Sequence, residues 1–328
     1  MSHRKVCPLI RKDDVRFHTP TPTPYDWAET NFFSVLVPEE NIYAWAYTVA
    51  RPGVGALMCD IQVIDVIDSN PLSARYVDIQ QHLPIPDRLE DYELPNGLAL
   101  ATSNEPYDYH LRYEGVDDTS FDWHVSGLME PYDITDPAMD PLASPDPEKT
   151  GFGTAYASHF DMSVSVTGNL RVRGRDFEVD CASVMDHSWG QRNERLMRPM
   201  AWINANFGKE FSVNTIWVRH IDKSGFDGYT FAHGYVQIED KVHGLNSGRI
   251  TAGRNKHHFP TGYEMHVEDK FGEKYAFTGY VTAQLPWSPY SNIVDANSAV
   301  RWHMPDGRVG VGVSQELVPL DGRTGWSK

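Results

Sequence analysis

The sequence predicts an all-β protein with little helix. Apolar and polar residues alternate along many short runs, as they do in strands that bury one face. Turn signals rich in Gly, Asp and Pro separate these runs. Trp, Tyr and Phe make up 12% of the 328 residues, and aromatic side chains favour strands and apolar pockets. No apolar stripe of helical period extends beyond two turns, so we expect a low helix content.

The alternating runs are clearest in the second half of the chain. Short turn sequences separate them, for example at 173–175, 207–209 and 305–307. Many short strands punctuated in this way predict a sandwich or a barrel. The predicted strands are 161–167, 170–173, 177–185, 211–219, 229–238, 263–267, 275–281 and 309–313.

Two segments interrupt this pattern. Residues 131–151 contain five Pro and five acidic residues against one Lys, a composition typical of a loop or linker. A second break lies at 195–200, where Arg198-Pro199 separates two aromatic-rich strands.

The charge balance excludes several classes of function. The chain carries 45 acidic and 29 basic residues, a formal net charge of −16, which argues against binding to nucleic acid or to anionic membranes. No apolar run is long enough for stable membrane insertion. We find no secretory signal and no paired cysteine motif, so we expect a cytoplasmic protein with reduced cysteines. No metal-binding or dinucleotide-binding motif is present, and we expect neither a metal nor another cofactor.

The densest cluster of reactive side chains lies at 186–192, which reads Asp-His-Ser-Trp-Gly-Gln-Arg. Asp186 can act as an acid, and His187 can set its protonation or position a substrate oxygen. Trp189 offers a flat apolar wall, and Arg192 can hold a carboxylate. Because strong strand residues run straight into Asp, His, Ser and Gly, we expect the chain to leave the sheet here. If the strand stayed regular, Asp186 and His187 would point to opposite faces, and a bulge or bend would be needed to bring both into one pocket. The alternative is structural, with Asp186 capping a turn, His187 satisfying a backbone carbonyl and Trp189 in the core.

The later strands carry further candidates. Trp202, Asn204 and Asn206 share one strand face, and Asn is depleted in strands. Such a face indicates either the lining of a cavity or a solvated outer surface. Trp287 lies in a rigid Pro-Trp-Ser-Pro-Tyr segment, which we interpret as either a cavity lid or a packed surface loop.

The 186–192 run resembles the Asp-His-Ser-Trp-Gly-Pro-Arg signature of the carotenoid 1,2-hydratase and AttH-like family of double-lipocalin proteins, with Gln191 in place of Pro. Segments 159–168, 202–207 and 307–316 are also similar to pieces of that family. The resemblance implies two lipocalin-like β-barrels or sandwiches packed together, with a ligand cavity near their junction. It places the domains at 1–195 and 196–328, with 131–151 as a loop inside the first.

The family resemblance implies acid-catalysed hydration of an isolated isoprenoid double bond, with Asp186 as the proton donor. Such chemistry needs an acid, a shielded cation and a held water. His159 and His187 are candidate water-holders or bases, Trp189 and Trp202 candidate cation-facing walls, and Asn204 a candidate oxygen-binder.

We therefore predict a cofactor-independent hydro-lyase that acts on a small apolar, isoprenoid-like molecule. Arg192 and Trp287 complete the predicted substrate-binding set. The alternatives are a non-catalytic lipocalin-type carrier and a cyclase or isomerase that uses the same pocket. The oligomeric state stays open between a monomer and a homodimer.

Overall fold

The computed structural model describes residues 10–144, 156–194 and 197–320. Nearly all regular structure in these ranges is antiparallel β-strand. The helical segments in these ranges are short 3₁₀ turns, and none is long or apolar enough to cross a membrane. Their bounds are Lys12–Val15, Pro38–Glu40, Pro71–Ser73 and Gly225–Gly228.

The first part of the chain forms one open sheet. Its strands are arranged in the order β4-β3-β2-β1-β11-β10-β8-β7-β6-β5, and β9 pairs with β10. The central position of β11 places the 186–192 signature in the middle of the sheet. The strands are β1 Trp27–Val37, β2 Ile42–Arg51, β3 Ala56–Ile64, β4 Tyr76–Pro84, β5 Asp91–Glu93, β6 Leu98–Asn104, β7 Asp108–Glu114, β8 Ser120–Gly127, β9 Tyr132–Asp133, β10 Ser158–Val172 and β11 Arg175–Gln191.

The second part forms a closed barrel of eight consecutive strands, in which β12 pairs with β19 to complete the ring. Closure removes the exposed edges that an open sheet leaves. The strands are β12 Met200–Asn206, β13 Phe211–Arg219, β14 Tyr229–Ile238, β15 Lys241–Arg254, β16 Pro260–Asp269, β17 Lys274–Trp287, β18 Ile293–His303 and β19 Val309–Pro319.

The all-β prediction is confirmed, and the predicted strands 211–219 and 229–238 match β13 and β14 at both ends. The first unit differs from a closed barrel because its sheet stays open between β4 and β5. The predicted domain boundary at Arg195 lies outside the described residues, as does part of the 131–151 loop. The described part of that loop is tied to the barrel, since His233 Nδ1 lies 2.7 Å from an Asp140 oxygen.

The barrel wall formed by β12, β13 and β19 is buried on both faces. Ala201, Ile203 and Trp217 point into the barrel interior. Their neighbours Trp202 and Ile216 point outward and pack against the open sheet. Because the outer face is covered by the sheet, polar residues on it, such as Asn204, are also removed from solvent.

The barrel interior contains a buried ion cluster around Glu316. Its carboxylate lies 2.9 Å from Arg219 and 2.9 Å from Arg254, and accepts a hydrogen bond of 2.6 Å from Tyr229. Burial would raise the pKa of Glu316, but the charges of Arg219 and Arg254 outweigh it and lower the pKa to about 2. The cluster links β13, β14, β15 and β19, so it holds the barrel closed.

Candidate active site

A cavity of about 80 Å³ lies between the open sheet and the outer wall of the barrel. Both units contribute to it, so it exists only because they pack together. Its walls are mostly aromatic and apolar, with a few polar groups that converge from the sheet. The lining residues are Thr30, Phe32, Tyr47, Tyr156, His159, Asp186, Ser188, Arg192, Met197, Met200, Trp202, Ile216, Trp287, Pro289, Tyr290, Gln315 and Leu317.

Asp186 lies on the sheet wall of this cavity. It pairs with Phe32 of β1 on one side and with Asp161 of β10 on the other. No hydrogen bond from a described residue reaches its carboxyl group, which keeps some accessible surface because it faces the cavity. Burial is the main cause that raises the pKa of Asp186 to about 7; His159 and Arg192 oppose the rise, and Asp161 adds to it.

His159, Asp161 and Trp202 form a buried chain beside Asp186. An oxygen of Asp161 lies 3.1 Å from His159 Nε2 and accepts a hydrogen bond of 2.9 Å from Trp202 Nε1. Burial lowers the pKa of His159, but the neighbouring Asp161 carboxylate outweighs it and leaves the pKa above its usual value. The chain fixes the indole of Trp202 against the cavity, where it also meets the Phe32 ring edge to face at 5.6 Å.

Arg192 closes one side of the cavity together with Tyr290. Its guanidinium donates to the Tyr290 hydroxyl and, at 2.7 Å, to Ser188 Oγ. Tyr290 in turn shares a hydrogen bond with Tyr47. A groove of about 440 Å³ lies on the other side, and Arg192, Pro289 and Tyr290 line both spaces. These side chains therefore form the partition between the cavity and the outer groove.

Trp287 forms part of the barrel wall of the cavity. It is the last residue of β17, and its indole N–H donates to Asp60 at 2.7 Å. Tyr47 lies edge to face with its ring at 5.3 Å. Burial raises the pKa of Asp60 to about 7, with the hydrogen bonds from Trp287 and Gln62 opposing the rise. Trp287 is thus a buried wall residue, held in place from the sheet.

His187 and Trp189 lie on the opposite face of the sheet from Asp186. The expectation that the chain leaves the sheet at Asp186 is wrong, because β11 continues regularly to Gln191. His187 Nδ1 donates to the Thr30 carbonyl at 2.7 Å, and burial lowers the pKa of His187 to about 4. Trp189 stacks on His18 with ring centroids 3.8 Å apart. Neither residue lines the cavity.

Asn204 is buried but does not reach the cavity either. Its amide donates to the Val213 carbonyl at 3.2 Å, and its oxygen accepts from Asn206 at 2.6 Å. On the strand face that Trp202 and Asn204 share, Trp202 therefore lines the cavity, whereas the side chain of Asn204 bonds to neighbouring barrel residues.

A second cluster, on the far face of the sheet, brings together His18, Glu29 and His187, with one donor atom of each within 4.8 Å of the others. The Glu29 oxygens already accept hydrogen bonds from the His18 backbone, the Thr19 hydroxyl and the Trp27 indole. We therefore assign Glu29 to hydrogen bonding that anchors the segment before β1.

Comparison with known proteins places the chain in a family. A family model described as a domain of unknown function, DUF7064, matches residues 11–318. The chain belongs to the DUF7064 family. A search among curated proteins found no match.

Several solved structures share the fold of this DUF7064 protein. AttH NE1406 from Nitrosomonas europaea is 14% identical, with 90% of this chain and 92% of that chain covered and a TM-score of 0.54. Kievitone hydratase from Nectria haematococca is 11% identical, with coverages of 89% and 88% and a TM-score of 0.53. CghA with Sch210972 is 11% identical, with coverages of 90% and 89% and a TM-score of 0.56. The expected AttH-like double-lipocalin fold is confirmed.

Sequence reasoning did not select three polar residues that shape the cavity of the DUF7064 protein. Asp161 lies within the 159–168 segment that resembles the family, and strand alternation from His159 places it on the same face. Tyr290 belongs to the Pro-Trp-Ser-Pro-Tyr segment that was interpreted as a lid or a surface loop, but nothing in the sequence pointed to its partner Tyr47, because their hydroxyl groups meet only after sheet and barrel pack. The site thus combines one predicted acid, Asp186, with partners from distant strands.

Proposed function

We propose that this DUF7064 protein is a cofactor-independent hydro-lyase, which adds water to a C=C bond of an apolar isoprenoid-like molecule or removes it from a tertiary alcohol. The observation that carries the proposal is the Asp186 carboxyl group, which faces an aromatic cavity and has its pKa raised to about 7. A carboxyl group with that pKa remains substantially protonated at neutral pH, as a general acid must.

In the hydration direction, Asp186 transfers its proton to one alkene carbon and becomes a carboxylate. The π electrons form the new C–H bond, and the other carbon becomes a tertiary cation. Trp202 and Trp287 line the cavity where this cation forms, and their indole rings stabilise it. Water then adds to the cation, and its surplus proton returns to the Asp186 carboxylate.

His159 is proposed to hold the water. It lines the cavity beside Asp186, and an Asp161 carboxylate oxygen lies 3.1 Å from its Nε2. Arg192 donates hydrogen bonds to Ser188 and Tyr290 and shapes the apolar space, so its proposed role is positioning.

Substrate binding requires the cavity to widen. Its volume of about 80 Å³ is smaller than the roughly 150 Å³ in which an engineered protein cavity holds benzene. We propose that the Tyr290 side chain moves aside, because this would join the cavity to the outer groove. Kievitone hydratase, which shares the fold at low identity, supports the reaction class.

The proposal is tested by incubating the protein with isoprenoid alkenes and tertiary alcohols in ¹⁸O-labelled water, followed by mass spectrometry. A product that has gained one labelled oxygen, or lost water, is expected. A product of unchanged mass would indicate a cyclase or isomerase. Bound but chemically unaltered compounds would indicate a carrier, and either of these results would contradict the proposal.

A further inference from the structure

A group of polar side chains adjoins the cavity on the barrel side and has unmet hydrogen-bonding capacity. Asp295 and Asn297 lie on β18, and Gln315 lies on β19. Asp295 and Asn297 are fully buried, and Gln315 is 8% exposed. By distance and angle, both oxygens of Asp295, Nδ2 of Asn297 and Nε2 of Gln315 have no hydrogen-bond partner among the described residues. Native proteins rarely leave buried polar atoms unpaired, so each such atom calls for an explanation.

The strand register places these groups next to the cavity. Asp295 pairs with Trp287 of β17 on one side and with Leu317 of β19 on the other. Directly paired residues of antiparallel strands point to the same face of the sheet. Trp287 and Leu317 both line the cavity, so Asp295 points to the same side between them. Gln315 is itself a wall residue and joins this group to the cavity.

Asp60 provides a comparison within the same interface. It is also fully buried, but Trp287 Nε1 donates to it at 2.7 Å and Gln62 Nε2 at 2.8 Å. One buried carboxyl group therefore has two side-chain donors, whereas no side chain of a described residue donates to the other. Asn297 is already oriented, because its Oδ1 accepts from the Tyr43 hydroxyl at 2.8 Å.

We infer that Asp295, Asn297 and Gln315 form a polar subsite that binds an uncharged oxygen substituent of the ligand, a hydroxyl or a carbonyl group. The amide groups of Asn297 and Gln315 would donate to the ligand oxygen. Burial raises the pKa of Asp295 well above its usual value, so its neutral carboxyl group can both donate and accept. A carboxylate or phosphate ligand would lie beside this acid with no cation among the three residues, which disfavours anions.

This inference rests on the proposed function for the position of the apolar part of the ligand. It narrows the substrate class to an oxygenated isoprenoid, with the reacting carbons near Asp186 on the sheet wall and an oxygen near Asp295 on the barrel wall.

The first test needs no ligand. If Asp295 and Gln315 serve ligand binding and not stability, then Asp295→Leu and Gln315→Met should each raise the melting temperature by about 1–3 °C, because each variant removes unpaired buried polar groups. The matched control Asp60→Leu should lower it, since it leaves Trp287 Nε1 and Gln62 Nε2 unpaired. Asp295→Asn controls for side-chain volume. If the melting temperature falls in both Asp295→Leu and Gln315→Met by about as much as in Asp60→Leu, the two residues have structural roles and the inference is overturned.

The second test measures binding of geraniol and of its deoxygenated hydrocarbon counterpart, 2,6-dimethyl-2,6-octadiene, by quenching of tryptophan fluorescence. The wild type should bind geraniol about tenfold more tightly, as one good buried hydrogen bond allows. Gln315→Met and Asp295→Leu should abolish this preference. Equal or absent binding of the two probes by the wild type, or an undiminished preference in both variants, would overturn the inference.

The variant Asp186→Asn separates this inference from the proposed function. It should keep the preference for geraniol, because its oxygen-binding groups are intact. Loss of the preference in this variant would contradict a separate subsite on the barrel wall. Its turnover tests only the acid, so the two ideas can fail independently.

Discussion

Replacement of Asp161 by Asn should lower the pKa of Asp186. The two residues are paired directly across β10 and β11, and the negative charge of Asp161 is one of the causes that raise the pKa of Asp186. Asn keeps an oxygen that can accept the hydrogen bond from Trp202, so the change removes the charge and leaves the packing nearly intact.

The geometry sets the size of this effect. Side chains paired across antiparallel strands lie about 5 Å apart, and two unit charges at that distance interact by about 3 kcal/mol at an effective dielectric constant near 20. Since 1.36 kcal/mol corresponds to one pKa unit, the pKa of Asp186 should fall by about 2. The loss of the His159–Asp161 ion pair acts in the opposite direction through His159, so about 2 is an upper value.

The assay is a ¹³C NMR titration of aspartate carboxyl groups, with Asp186→Asn used to assign the signal. The control is Asp180→Asn on the same strand. Asp180 lies six residues away, about 20 Å along the strand, and its side chain is 64% exposed. The control should leave the pKa of Asp186 unchanged. An unchanged pKa in Asp161→Asn, or an equal fall in both variants, would refute the proposed coupling between the paired acids.

Four further predictions follow from the same contacts. Asp186→Asn should gain stability over the wild type as the pH rises from about 4 to about 7 and should keep the full gain above pH 7, because the Asp186 carboxyl group ionises near pH 4 in the unfolded chain but only near pH 7 in the folded protein. Melting curves should show a much larger gain at pH 8 than at pH 4, and an equal gain at both would contradict the raised pKa. Glu316→Gln should cost about 3–5 kcal/mol of unfolding free energy, since it leaves buried guanidinium groups without their carboxylate. The contribution of Glu316 should be present at neutral pH and lost as the pH falls from about 4 towards 2, because its folded-state pKa is lowered; chemical denaturation that shows no difference between variant and wild type at pH 7 would refute this. Tyr290→Ala should raise the association rate of geraniol severalfold in stopped-flow fluorescence, because it opens the partition to the outer groove, and an unchanged rate would argue for another access route. His187→Asn should keep turnover within about threefold of the wild type in a folded variant, because His187 lies on the far face of the sheet, whereas a loss as large as that expected for Asp186→Asn would contradict this placement.

Strand alternation predicted much of the fold. It located β13 and β14 to the residue and indicated that Asp186 and His187 would face opposite sides if the strand stayed regular. The strand did stay regular. The alternation of side chains between its two faces therefore predicted the position of His187 better than the local run of Asp, His, Ser and Gly did. Residues two apart, such as His159 and Asp161, could be assigned to one face for the same reason.

The rest of the site depends on how the sheet packs against the barrel. Tyr47 and Tyr290 are 243 positions apart in sequence, and no local pattern shows that they meet. The sequence also does not show that Asn204 lies outside the cavity, because its strand face is covered by the sheet and only part of that face borders the cavity. These contacts depend on how distant strands pack together, and the spacing of residues in a single sequence does not show that packing.

The most direct test of the central claim is turnover by Asp186→Asn, compared with wild type and with Asp180→Asn, on the isoprenoid alkene or alcohol that the wild type converts in ¹⁸O-labelled water. All three proteins should show the same fold by circular dichroism. We predict that Asp186→Asn loses activity by about 10²–10⁴-fold, as expected when a general acid is removed, while Asp180→Asn stays close to the wild type. Near-wild-type turnover by folded Asp186→Asn would contradict the claim that this carboxyl group is the proton donor.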